Sequence, residues 1–297
     1  MGLRVFICVW AALVVAIAAR PPQKIIRKPH EERNLRTISA IYDNTVYPNN
    51  VPIIVNGSAA VPPNLFSRNA TGRVSPVGNF TGFEDSIEYF FALAPTPQTN
   101  PRKGAIISAE VVEFASACPE VAASLVHLRG GVVDETSSEN GKEVAILKQF
   151  AFWRFDEDGL VTKYDAIIPN LSAWRDVFWG SITADPAVQA ETIGQICFGT
   201  QLRCTGPNQQ YDDVEDCIEQ LSSKTFGTYS EAWGDTVACR GVHIILTSVR
   251  PDDQIHCPHV GPSGGDSCLD VSYAAKYEDD AELFGTPVGD TFKCPGR

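Results

Sequence analysis

The sequence predicts an α+β protein in two parts: a strand-rich first half with one or two helices, then a small helical module held by cysteine. Two observations carry this reading. Between residues 83 and 168 long β-prone apolar runs alternate with turn residues and include one clear hairpin. Past residue 185 the spacing becomes helical, and six of the nine cysteines fall between residues 197 and 268.

The chain of 297 residues opens with Arg4 ahead of an apolar run from Val5 to Ala19, with small residues near Ala18. This is the anatomy of a secretory leader, residues 1–18. The alternative is a membrane anchor, but the run falls short of the ~20 residues a spanning helix needs, and Pro21-Pro22 ends it. No later segment is long and apolar enough to span a bilayer. Leader removal takes Cys8 and leaves Cys118, Cys197, Cys204, Cys217, Cys239, Cys257, Cys268 and Cys294. An even number in an exported chain predicts four disulfides, with the pairing left open. Acceptor triplets at Asn56, Asn69, Asn79 and Asn170 agree with export and glycosylation. The net charge of −12 argues against nucleic acid as a partner. The one basic run, Lys24 to Arg36, reads as part of an arm or linker over 19–45.

The first domain is expected over 46–184. Phe83 to Leu93 has apolar positions at helical spacing, and Pro95 stops it. Ala105–Ala115 and Ala122–Arg129 read as strands. Glu143–Phe155, Asp156–Gly159 and Leu160–Ile168 read as strand, turn and strand, with Phe155 opposite Leu160. One face of this hairpin then carries Leu147, Gln149, Ala151, Trp153, Phe155, Leu160, Thr162, Tyr164 and Ala166, the other Lys148, Phe150, Phe152, Arg154, Lys163 and Asp165. The first face suits the wall of an apolar pocket lined by Gln149, Trp153 and Tyr164. The titratable candidates for general acid–base work are Asp165, flanked by Tyr164, and His127 on its Val/Leu-rich strand. Their structural alternatives are a surface partner of Lys148 or Lys163 and a hydrogen-bonded sheet residue. No G-x-S-x-G elbow, phosphate loop or dinucleotide fingerprint is present, which argues against ordinary lipases, kinases and Rossmann oxidoreductases.

A helix followed by long apolar strands that end in "FWRFDEDGLVTKYDAII" resembles the SnoaL-like branch of the nuclear transport factor 2-like superfamily, over roughly residues 35–180. The resemblance implies a cone in which a curved antiparallel sheet wraps on helices around a deep pocket for a small apolar ligand. It also implies that a pocket carboxylate or histidine could serve isomerisation, cyclisation or dehydration. The Pro-, Gly- and Asn-rich stretch 48–82 departs from the clean first helices of that pattern.

The second part, 185–297, is expected to form helices over Ala187–Cys197, Val214–Leu221 and Thr236–Val249. Cys239 and His243 share one face of the last helix. His243, His256 and His259 follow the spacing H-x12-H-x2-H, with Pro258 and Gly261, Gly264 and Gly265 letting the turn fold back. Imidazole suits copper and zinc, so these three are the metal candidates, with Asp252, Asp253, Asp266 or Asp270 as further ligands. A stapled turn with no metal or other cofactor is the rival reading, and the cysteines count as disulfide partners in both. The tail resembles secreted fungal proteins that place "CR", a histidine, "RP" and "HCPHVGP" with a Gly-Gly turn after a SnoaL-like region. Function divides three ways: binding of a small apolar ligand or an extracellular partner, a pocket enzyme, or an extracellular metal protein.

Overall fold

The structure, a computed structural model, describes residues 27–249 and 255–296; the leader expected over 1–18 lies outside the described residues. The segment expected as a basic arm becomes structure from Pro29 onward. Helix α1 (Pro29–Asp43) buries Ile38, Ile41 and Tyr42, which fall three and four apart and so share one face. The stretch 48–82 also folds. Helix α2 (Val51–Asn56) is followed by strands β1 (Phe66–Ser75) and β2 (Gly78–Thr81). Helix α3 (Phe83–Ile87) runs into a π-helical turn, Glu88–Ala92.

Four long strands then complete the sheet: β3 (Gly104–Cys118), β4 (Val121–Val132), β5 (Glu143–Phe155) and β6 (Val161–Ile167). The order is β2-β1-β6-β5-β4-β3, antiparallel except for the β1–β6 pair. Register shifts at Ile106/Ser108, Val111/Glu113 and Ala115/Cys118 bend β3, since each extra residue adds local twist. The expected curved sheet packed on helices is present. In the β5–β6 hairpin Trp153 lies opposite Tyr164 as the alternation requires, but a shift after Arg154 puts Val161, not Leu160, opposite Phe155. Val161 takes the buried place expected of its neighbour.

The inner face holds a packed aromatic core in place of the expected pocket. Phe90 lies 4.8 Å from Tyr89, 5.1 Å from Tyr164 and 5.8 Å from Trp153, centroid to centroid. Gly72 is required by this packing: a Cβ there would sit 2.3 Å from the Tyr164 ring. The polar groups of these rings are paired. The Tyr42 hydroxyl donates to Gln149 Oε1 at 3.0 Å, and Gln149 Nε2 donates to the Tyr89 hydroxyl at 2.8 Å.

The second part begins with α4 (Leu171–Trp179) and α5 (Pro186–Arg203), the latter capped by the Asp185 carboxylate. Helix α6 (Val214–Ser222) is capped by Asp213, and α7 (Val237–Leu246) by Thr236. Short helices α8 (Cys257–Val260), α9 (Tyr273–Tyr277) and α10 (Asp280–Phe284) finish the chain. The eight described cysteines pair as Cys118–Cys294, Cys197–Cys217, Cys204–Cys257 and Cys239–Cys268. Asn56, Asn69, Asn79 and Asn170 are all exposed. Among the described residues no helix is long and apolar enough to cross a membrane.

Candidate metal centre

Two disulfides and one arginine shape the turn after α7. Cys204–Cys257 and Cys239–Cys268 fix its two ends, the second against the face of α7 that carries His243. Arg240, wholly buried, donates to the Gly261 and Pro262 carbonyls and to the Asp235 carboxylate. The backbone then wraps around His259 through two positive φ angles. A Cβ on Gly264 would lie 2.0 Å from the Cys268 carbonyl oxygen, and one on Gly265 2.7 Å from the His259 ring, so only glycine fits either place.

Inside this frame three imidazoles converge. The Nδ1 atoms of His243 and His256 are 3.3 Å apart, those of His256 and His259 3.4 Å, and those of His259 and His243 3.2 Å. The far nitrogens of two rings are held by carboxylates: His256 Nε2 by Glu88 at 3.0 Å, and His259 Nε2 by Asp266 at 2.6 Å. In the neutral rings these carboxylates take the Nε2 protons, which leaves lone pairs on both Nδ1 atoms. Only His243 then has a proton for the triangle, so at least one edge sets lone pair against lone pair. An ion at the centre would satisfy all three. A tetrahedral ion with bonds of about 2.0–2.1 Å separates its ligand nitrogens by about 3.3–3.4 Å, close to the edges found.

Electrostatics favour the ligating form. Burial, then the neighbouring His259 and His256, hold the His243 pKa well below the ordinary histidine value. Burial and His256 also lower that of His259, against the opposing pull of Asp266. Neutral imidazole is the form that binds a metal.

The other candidates lie elsewhere. Asp165 faces outward and receives Arg73 Nη2 at 2.7 Å and Nε at 3.2 Å; Arg73 in turn reaches Asp280 at 2.7 Å. Asp165 is thus the partner of Arg73 rather than of Lys148 or Lys163. His127 sits on the outer face of β4 between Glu110 and Lys148. Gln149, Trp153 and Tyr164 are core residues, each at most 1% exposed. Asp266 holds the outer nitrogen of His259 instead of facing the triangle, and Asp270 accepts from the Asp235 backbone. Asp252 and Asp253 lie outside the described residues. Sequence reasoning missed Glu88, although a lone acid within Ile87-Glu88-Tyr89-Phe90-Phe91 is a visible anomaly. It is 3% exposed and comes from the opposite half of the molecule.

Comparison with known proteins matches residues 39–166 to the BfoA N-terminal domain and 166–271 to the BfoA family C-terminal domain. The chain is 29% identical over 264 residues to the aurasperone B biosynthesis cluster protein A of Aspergillus niger, covering 84% of this chain and 83% of that protein. It is also 29% identical to the bifonsecin B biosynthesis cluster protein A of Aspergillus brasiliensis, covering 84% and 85%. Among solved structures, a Jannaschia protein described as a SnoaL-like polyketide cyclase superposes with a TM-score of 0.35 at 13% identity, covering 55% of this chain and all of that one.

Proposed function

We propose that this chain, whose two halves match the two domains of one family, is a secreted, glycosylated metal protein that serves small-molecule biosynthesis. One zinc or copper ion is held by His243, His256 and His259. The observation that carries the reading is the triangle of Nδ1 atoms with edges of 3.2–3.4 Å, backed by Glu88 and Asp266. Carboxylates on the outer nitrogens are the usual support of histidine ligands, because they fix the tautomer and raise ring basicity. Three neutral nitrogen donors leave room for one more ligand, and a metal so held supplies Lewis acidity or an activated water.

Export is supported by the leader sequence, the four disulfides and the exposed acceptor asparagines. The biosynthetic setting is supported by the names of the two Aspergillus relatives. The apolar-pocket readings lose ground because Trp153, Tyr164, Tyr42 and Phe90 fill the interior they need.

Elemental analysis of the secreted protein, purified without a histidine tag or chelating resin, tests this reading. One equivalent of zinc or copper is expected in the parent and none in the His256→Ala/His259→Ala form. A parent that takes up neither metal after incubation with both would overturn it.

A further inference from the structure

The Cys239–Cys268 disulfide differs from the other three in its surroundings. Cys239 is the third residue of α7, and its backbone N–H donates to the Thr236 cap at 3.1 Å. A sulfur in this first turn lies near the N–H end of a ten-residue helix, whose partial positive charge favours a thiolate. Cys239 also lines a small cleft of about 70 Å³ between the β1–β2 hairpin and α7, together with His243 and Lys276 and with no aspartate or glutamate. A ring nitrogen of His243 and both sulfurs fall within 4.8 Å of one another. The other bridges lack this setting. Cys217 shares its helical turn with Glu215 and Asp216, and Cys204 closes α5, where the negative end of a helix lies.

We propose that Cys239–Cys268 is a thiol-exchanging disulfide that takes two electrons from a small dithiol. Cys239 forms part of the cleft wall and Cys268 does not, so attack falls on Cys239. A thiolate of the dithiol bonds to Cys239 Sγ, the disulfide breaks, and its electron pair leaves on Cys268, which takes up a proton. Cys268 can draw away because Asp266, Leu269 and Asp270 around it are exposed and no regular element begins until Tyr273. The second thiolate then attacks its own partner sulfur in the mixed disulfide. That closes the oxidised substrate and releases Cys239 as a thiolate, beside the start of α7 and in the cleft with Lys276. The dithiol loses two electrons and two protons; one proton stays on Cys268 and the other goes to solvent. A stabilised thiolate is the better leaving group, and a stabilised reduced form makes the bridge the stronger oxidant. Size limits the substrate: water occupies about 30 Å³, so the cleft admits a slender thiol-bearing end and no ring.

The exchange site does not rest on the metal reading, and the metal-free full chain tests it. The chain is equilibrated without denaturant in buffers of reduced and oxidised dithiothreitol, then alkylated and mapped by peptide mass. Cys239–Cys268 should open with an equilibrium constant about tenfold or more above that of each other bridge. Lys276→Met should move this equilibrium about threefold toward the disulfide and Lys276→Arg should restore it, the effect of one partly screened charge. Mercaptoethanol, a monothiol, cannot complete the second step, so its adduct should be found on Cys239. An adduct on Cys268 instead, a bridge that opens no more readily than the other three, or an equilibrium unmoved in Lys276→Met would each overturn the proposal.

Discussion

Replacing Glu88 by Gln removes a charge and almost nothing else. Glutamine keeps the shape and an acceptor oxygen for His256 Nε2, at present 3.0 Å from the carboxylate. With side chains only 3% and 8% exposed, the contact is shielded from solvent. A hydrogen bond to a charged group is worth ~1.5–3 kcal/mol and a neutral one ~0.5–1.5, so the exchange costs about 1.4 kcal/mol in the metal-loaded state. That is about tenfold in metal affinity, the lower end of the range for outer-shell ligand partners. Competition for zinc with a chromophoric chelator gives the affinity, and equal zinc affinity in the two proteins would refute the argument.

Two further outcomes follow from the same geometry. Asp165→Asn weakens a bidentate pair with Arg73 whose side chains are 10% and 23% exposed, so melting should fall by about 1–2 kcal/mol of stability while metal content stays at the parent's level; a change in metal content would contradict the assignment. His243 and His259, whose pKa values are lowered, should be neutral above pH ~6.5 in the metal-free protein and take up protons only below it. Their imidazole resonances followed across pH 5–8 check this, and a midpoint above ~6.5 for either ring would contradict it.

Alternation told which side chains of the hairpin face inward, and Gln149, Ala151, Trp153 and Tyr164 do. It could not tell whether space remained behind them, because the filling rings come from α1 and the turn after α3: Tyr42, Tyr89 and Phe90. The basic residues near the start masked the helical spacing of Ile38, Ile41 and Tyr42 just beyond them. Strand β1, "FSRNATGRVS", is polar and contains a glycine, so its own propensity says little. Its place is set by its parallel pairing to β6 and by the Tyr164 ring over Gly72. At the candidate metal centre the three histidines were legible because they lie on one helix and one nearby turn. Glu88, 168 residues before His256, was not, because only the fold brings the two together.

That long-range contact gives a reason for the two parts to travel as one chain. The second half grips the first at its seam and on the outer face of its sheet. Asp280 and the Tyr277 carbonyl meet Arg73, the Thr291 carbonyl meets Arg154, Phe292 lies 5.8 Å from Phe152, and Cys294 is bonded to Cys118. Asp165, a candidate base from sequence, belongs to this clamp. Glu88 at the seam points the other way, from the sheet domain into the histidine cluster. An ion bound by the histidines would favour the arrangement in which Glu88 is docked by no more than its difference in affinity for the two arrangements, about tenfold or ~1.4 kcal/mol. Metal occupancy and domain docking are therefore coupled in the proposed protein. The sheet domain contributes no ligand to the ion, yet its position decides how tightly the ion is held.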